Sequence, residues 1–359
     1  MKYIVSIDWL SFSVHGAINV DMFNVEQESI VQMTMLRNCE AKKLPYNNRQ
    51  FSELYEVYYC GVLFAVVQAK PFAEILDKDL MIVKLANYWL YRPNGVATFY
   101  DFIRLCGWTV HNVSRVDICA DFERFEVDEC AEFIRKFAAG TYRHVGRAKG
   151  VLHFRKKGIG ILQYNGLRFG TAESERSVYL YNKTLELEEV KDKPYIRDKW
   201  KAAGLTGTVW RLEISVKSGG MEYVEKETGE DVHITQGLLT NMGQVERVYM
   251  GLIDKYFQFI TYREGITNVT REPRIKLFGE SIKMKLWNVR NVRGGTKADK
   301  IAIKRVYQSS RRNTIGELAT EPTFTIQMAA EMAASANLQH WYEEHAAQWE
   351  DEEIAKESI

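Results

Sequence analysis

The stretch SRVDICADFE, residues 114–123, alternates Val116, Ile118, Ala120 and Phe122 with Arg115, Asp117, Cys119, Asp121 and Glu123. A two-residue period sends the apolar set to one face of a strand and the charged set to the other. The habit recurs in VWRLEISVK, residues 209–217, where Leu212, Ile214 and Val216 form the apolar row and Arg211, Glu213, Ser215 and Lys217 the polar one. In RSVYLYNK, residues 176–183, Tyr179, Tyr181 and Lys183 stand against Val178 and Leu180. Residues 3–14 also alternate, and put Asp8 in register with Leu10, Phe12 and Val14. An acid in that company needs a partner or an ion, because a bare buried charge is too costly.

Elsewhere the pattern predicts a hairpin over 51–70 that turns near Gly61, and helices over 80–91 and 97–106 interrupted at Pro93-Asn94-Gly95. An amphipathic helix is predicted over 127–138 from Val127, Cys130, Phe133, Ile134 and Phe137, with Gly140 as its stop. Strands near 151–155 and 159–164, a charged helix running to about residue 203 and a helical stretch over 236–263 follow. The tail, 324–357, reads as helix rich in Ala, Met and Glu with little apolar stripe. Strands that mix with helices and pair into hairpins predict an α+β fold, with a largely antiparallel central sheet, helices on one face and a helical C-terminal region.

Composition narrows the picture. The 359 residues are 46% hydrophobic and 26% charged, which suits an ordinary soluble protein of more than one domain. Five cysteines without a C-x-x-C pair argue against a disulfide framework or a zinc ribbon and for a reducing cytoplasm. No apolar run is long enough to span a bilayer, so no membrane role is expected. Net charge is only +1, yet residues 271–312 hold 13 Lys or Arg against 3 acids, while 313–359 hold 1 against 10. A basic stretch followed by an acidic tail predicts a polyanion-binding surface. Trp287, Tyr307 and Gly294-Gly295 interleave with the basic residues, as on surfaces that track a phosphate backbone.

If the four polar-faced strands are neighbours, one face carries carboxylates, a tyrosine pair and a lysine. Carboxylate oxygens suit Mg²⁺ or Mn²⁺, which polarise phosphoryl groups. A tyrosine, with an ordinary pKa of about 10, attacks phosphorus only once its phenolate is stabilised. The set could thus cleave a phosphodiester through a covalent phosphotyrosine.

In order along the chain, SRVDICADFE, GTAESERSVYLYNKTLE and VWRLEISVK resemble the replication initiation factor family: rolling-circle initiators of staphylococcal plasmids of the Rep_trans type and related relaxases of integrative elements. The family's middle motif, roughly G-S-x-x-S-x-x-x-x-R-x-Y-x-K, matches Gly170, Ser174, Tyr181 and Lys183. The resemblance implies nicking of origin DNA by Tyr181, which stays joined to the 5′ phosphate while the 3′ hydroxyl primes synthesis. It implies Asp8, Asp117 and Glu213 as ligands of Mg²⁺ or Mn²⁺, with Asp121 in reserve. The family's arginine is Tyr179 here, so Tyr179 is a second candidate catalyst beside Tyr181 and Lys183, and the phosphate contact passes to Lys183, Arg176 or Arg211.

Contacts to DNA are expected from Arg115, Arg176, Arg211, Lys283, Lys285, Arg290, Arg293, Lys304 and Arg305. The implied organisation is a nicking and joining domain over 1–220, a helical and basic DNA-binding region over 221–313 and an acidic tail over 314–359. Origin DNA, single-stranded or extruded as a hairpin, is the expected partner, with a homodimer as a further one. No G-x-x-x-x-G-K occurs, so unwinding would fall to a host helicase. Two alternatives stay open: a regulator that binds the origin without cutting it, and a metal-dependent nuclease that uses water. None of the seven histidines forms a His-hydrophobe-His motif, and His340 and His345 read as solvated positions on a charged helix.

Overall fold

In a computed structural model of the chain, the residues described are 2–18, 34–74, 76–146, 148–156, 162–171, 173–265, 271–279, 284–288, 303, 306, 322–335, 338–346 and 349. They divide into two compact units, residues 1–221 with 233–285, and residues 222–232 with 286–359.

The first unit is built on strands β1 (Tyr3–His15), β2 (Cys39–Lys43), β3 (Phe51–Tyr59), β4 (Val62–Pro71), β5 (Leu80–Leu85) and β6 (Thr109–Phe122). The short strand β7 (Tyr142–His144) follows, then β8 (Gly150–Lys156), β9 (Leu162–Phe169), β10 (Arg176–Asn182) and β11 (Trp210–Lys217). All but β7 form one ten-stranded sheet in the order β2-β3-β4-β5-β1-β6-β11-β10-β9-β8. Every neighbouring pair is antiparallel. The polar-faced strands β1, β6, β11 and β10 are consecutive at its centre, so the α+β, antiparallel reading of the sequence holds.

One face of the sheet carries an aromatic core. Helix α1 (Asn87–Leu90) precedes α2 (Gly95–Leu105), which sets Phe99 on Phe12 at 5.5 Å and Phe102 on Phe64 at 5.2 Å. Helix α3 (Cys130–Ala138) adds Phe133 against Phe125, which packs on Phe122. Further along the chain come α4 (Lys183–Glu189), α5 (Pro194–Ala203), a one-turn α6 (Gln236–Leu239) and α7 (Met242–Tyr256). From α7, the buried Tyr249 donates to the Leu212 carbonyl at 2.8 Å. On the opposite face α4 and α5 cover one end through Leu187, Ile196 and Trp200, leaving the middle of the polar face open as a cleft.

Residues 80–85, predicted as helix, are instead the strand β5: LMIVKL alternates, Met81, Val83 and Leu85 are buried, and β1 and β4 bond it on both sides. Tertiary pairing and two β-branched residues outweigh the short-range helical reading. The charged helix is also split, into α4 and α5, because Pro194 starts a new helix at its first turn. The stretch 236–263 ends as strand β14 (Phe259–Thr261), paired with β7.

In the second unit, β12 (Glu222–Glu225) pairs antiparallel with β15 (Leu286–Asn288), and β13 (Asp231–His233) flanks β12. Helix α8 (Pro322–Ser335) contributes Ala329 and Ala333 to a small apolar cluster with Leu338, Tyr342 and Trp349. The C-terminal stretch thus has a core of its own, in which the small Ala329 and Ala333 of α8 meet the larger Leu338, Tyr342 and Trp349.

Candidate active site

The register sets the polar rows side by side. Asp121 faces Arg211, which faces Tyr181; Cys119 faces Glu213, which faces Tyr179; Asp117 faces Ser215. Asp8 joins them through a β-bulge. Ile7 pairs with Ile118 and Trp9 with Asp117, leaving Asp8 as an extra residue on β1. Val5 and Ile7 before the bulge, and Leu10, Phe12 and Val14 after it, are all buried. The extra residue reverses the parity of the strand, so Asp8 is not in register with Leu10 and its fellows, as simple alternation predicted. It lines the cleft instead.

At the centre is Tyr181. Its hydroxyl donates to Glu213 Oε2 at 3.3 Å and accepts from Lys183 Nζ at 3.3 Å. Lys183 also pairs with Glu186 Oε2 at 2.6 Å and is 2% exposed. Burial, with the nearby Glu213, pushes the Tyr181 phenol well above its ordinary value. Burial beside Asp117 and Asp8 pushes Glu213 up to about 8, which makes it a stronger proton acceptor than a solvated carboxylate. Tyr179 stacks on Tyr181, with ring centroids 4.6 Å apart, and His153 lies 5.1 Å from Tyr179. Gly166 is bare where Tyr179 passes: a Cβ there would meet its ring at 2.9 Å. The motif residues Gly170 and Ser174 build the β9–β10 turn, Gly170 at φ +84° and Ser174 Oγ accepting from Thr171 N at 3.0 Å.

Asp8 Oδ1 accepts from Tyr91 at 2.6 Å, Arg211 Nη1 at 2.7 Å and Asn87 Nδ2 at 3.1 Å. Although burial opposes the charge, Arg211, Lys183 and Tyr91 hold the Asp8 carboxyl well below the usual range. Asp117 gives both oxygens to Arg115, at 2.8 and 2.6 Å, yet burial leaves its pKa raised. Arg115 and Lys84 flank Trp9, at 4.6 and 3.1 Å from the ring centre. Lys193, whose pKa burial lowers, lines the same cleft of about 480 Å³.

Three expectations need correction. Asp121 is no reserve ligand: its oxygens are taken by Arg211 at 2.6 and 2.7 Å and by Trp200 Nε1 at 2.7 Å, and it is 1% exposed. Arg211 is fully buried among Asp121, Asp8 and Tyr91, so it cannot reach DNA. Arg176 shares the strand face of Val178 and Leu180, opposite Tyr179 and Tyr181, and its guanidinium lies 5.6 Å from the Tyr256 ring, away from the cleft. Lys285 is exposed, whereas Lys283, Arg290, Arg293, Lys304 and Arg305 lie outside the described residues.

For a divalent cation the donor set fits in part. Asp8 Oδ2 and Glu213 Oε1 take part in none of the bonds above, and a cation there would offset both the burial of Glu213 and the negative charge of Asp117 and Asp8 beside it. Asp117 would join only by loosening Arg115. Among the described residues Asp8, Asp117 and Glu213 do not gather within 4.8 Å; the trio that does is His15, Asp77 and Asp79. Sequence reading missed Tyr91 and Asn87, which come from a one-turn helix without a motif. It also missed Lys193 and Trp9, whose place depends on the bulge and on the α4–α5 break.

No protein-family model matches the chain, and no curated protein does. Among solved structures, a rolling circle replication initiator protein from Geobacillus stearothermophilus is similar over 76% of this chain and 92% of its own, at 13% identity and a TM-score of 0.45.

Proposed function

We propose that the protein nicks and rejoins single-stranded or extruded DNA at a replication or transfer origin, with Tyr181 as nucleophile. The observation that carries this reading is the Tyr181 hydroxyl held between a carboxylate and an ammonium, at 3.3 Å from each, on the floor of a cleft. The three sequence motifs in order add the substrate class.

In the proposed reaction the Tyr181 oxygen attacks phosphorus, its proton passes to Glu213 Oε2, and the bond from phosphorus to the 3′ oxygen breaks. The DNA 5′ phosphate is then joined to Tyr181 and the 3′ oxygen leaves as a hydroxyl after taking up a proton. Lys183 donates to the forming phenolate and lowers its cost. Arg115 and Lys193 line the cleft and would receive phosphate oxygens there. Asp8 and Glu213 would hold Mg²⁺ or Mn²⁺, with Asp117 behind them; the chemistry such an ion supplies is charge balance and polarisation of the phosphoryl group. Tyr179 positions Tyr181 by stacking. The basic residues of 271–312 would bind flanking DNA, and unwinding would need a separate helicase.

The test is incubation of the full chain with Mn²⁺ and single-stranded oligonucleotides that tile the DNA flanking its gene. Protein linked to the downstream fragment through its 5′ phosphate, lost in Tyr181→Phe and kept in Tyr179→Phe, is the expected result. Cleavage without linkage would instead favour a water nucleophile, and tight binding without cleavage a regulator.

A further inference from the structure

The far end of the central strand carries a second constellation, which the proposed chemistry does not use. His15, the last residue of β1, pairs with Leu80 at the start of β5. Asp77 and Asp79 lie in the turn just before β5, where Gly16 N donates to the Asp79 carbonyl and Leu80 N to the Asp77 carbonyl, each at 3.0 Å. These bonds hold the turn against the end of β1. The ligand-type atoms of His15, Asp77 and Asp79 all lie within 4.8 Å of one another, and His15 Nδ1 is 3.1 Å from Asp79 Oδ1.

A fourth donor comes from β6 on the other side. Ser13 pairs with Asn112 and Val14 with Val110, so His111 is an extra residue at a bulge of β6. Its ring stands edge-on to His15, with centroids 5.5 Å apart. Bulges re-aim side chains, and this one sets a second imidazole beside the trio. Seven residues along β1 from Asp8, the group is roughly 23 Å from the cleft carboxylates at about 3.3 Å per residue.

We infer that His15, His111, Asp77 and Asp79 form a binding site for a first-row divalent cation of the zinc type, which clips together the ends of β1, β5 and β6. Two imidazoles and two carboxylates are a mixed nitrogen and oxygen set of four, as Zn²⁺ takes in tetrahedral sites. The edge of such a tetrahedron is about 3.4 Å for bonds of about 2.1 Å, so His15, Asp77 and Asp79, with ligand atoms already within 4.8 Å of one another, need only a small closure, and His111 would turn in from beside His15 to complete the set. Hard Mg²⁺ would not choose imidazole, which separates this site from the cleft by chemistry as well as by distance. The inference is independent of the nicking reading.

The experiment is calorimetric titration of the full-length protein with Zn²⁺, and visible spectroscopy with Co²⁺ as a geometric probe. All samples carry Cys60→Ser to remove the exposed thiol. Asp8→Asn with Glu213→Gln silences the cleft. That protein is expected to bind one Zn²⁺ at this site and to give the intense spectrum of tetrahedral Co²⁺. Adding Asp79→Asn, an exposed change that spares the core, is expected to weaken Zn²⁺ by roughly tenfold or more and to abolish the Co²⁺ bands. No saturable Zn²⁺ binding in the cleft-silenced protein, or binding that Asp79→Asn leaves unchanged, would overturn the site. Unchanged affinity in His111→Ala would overturn the assignment of the fourth ligand.

Discussion

The guanidinium of Arg211 grips both oxygens of Asp121, Nε to Oδ1 at 2.6 Å and Nη2 to Oδ2 at 2.7 Å, with neither residue open to solvent. The remaining nitrogen, Nη1, reaches Asp8 at 2.7 Å. One buried cation therefore serves two acids, and the cleft is braced from beneath by an ion network that opens onto it at Asp8.

Breaking that network from the cation side is costly, because it leaves buried carboxylates without compensation. Arg211→Met is expected to destabilise the first unit by about 3–5 kcal/mol near neutral pH, read by urea denaturation. The folded-state pKa of Asp8 is depressed, so in the parent protein its contribution is present above the ordinary carboxylate range and fades as pH falls. In Arg211→Met the orphaned acids gain from protonation, so the gap between variant and parent narrows on acidification. A gap that stays constant with pH would contradict the network.

Glu213 has the opposite sign. Its carboxyl is raised to about 8 in the folded chain, so the folded state binds a proton that the unfolded state has released between its ordinary value and about 8. Stability contributed by this group is complete at low pH and is lost as pH rises through that window, by at most about 1.4 kcal/mol per pH unit. Glu213→Gln, which imitates the protonated form, should be free of the loss. Melting temperatures of parent and variant, compared from pH 5 to 8.5, are expected to diverge in favour of the variant at the alkaline end.

The rate should run against the stability. A proton acceptor must be empty to act, so formation of the Tyr181 adduct is expected to rise with pH as Glu213 loses its proton, at a lower pH with Mn²⁺ bound than the metal-free carboxyl would set, because the cation favours the ionised form. Lys183→Met removes the donor to the phenolate and is expected to slow adduct formation on the order of 10²-fold, measured in single turnover. A rate unchanged by Lys183→Met would assign the lysine to the Glu186 ion pair alone.

Gly166 offers a test of positioning. A methyl group there meets the Tyr179 ring at 2.9 Å and the Leu180 carbonyl at 3.2 Å. Gly166→Ala is expected to cost about 1–3 kcal/mol by overpacking and to slow adduct formation by displacing the Tyr179–Tyr181 stack. Gly166→Ala combined with Tyr179→Ala, which vacates the space, should recover part of the stability in chemical denaturation.

Much of the site was legible from alternation. Asp117, Glu213, Tyr179, Tyr181 and the apolar rows behind them fall where a two-residue period puts them, since β6, β11 and β10 are regular over those residues. What alternation cannot report is pairing among residues of like exposure. Arg211 and Glu213 occupy the same row of one strand, yet Arg211 is locked beneath α5 by Asp121 and Trp200, while Glu213 faces the cleft. Nor does periodicity announce bulges, so neither the true face of Asp8 nor the approach of His111 to His15 could be read from spacing. Residues 80–85 were misread because six residues are too few to separate a strand from a buried helical turn without knowing their neighbours.

Excise Asp8, and β1 would close into an unbroken strand: Ile7 inward, Trp9 outward, Leu10 inward, every remaining partner kept. The sheet has no use of its own for this supernumerary position. Its backbone makes room for a charge that the strand pairing does not require, and the extra residue is best understood through its carboxylate, which anchors Arg211, Tyr91 and Asn87 on one side and opens onto the cleft on the other.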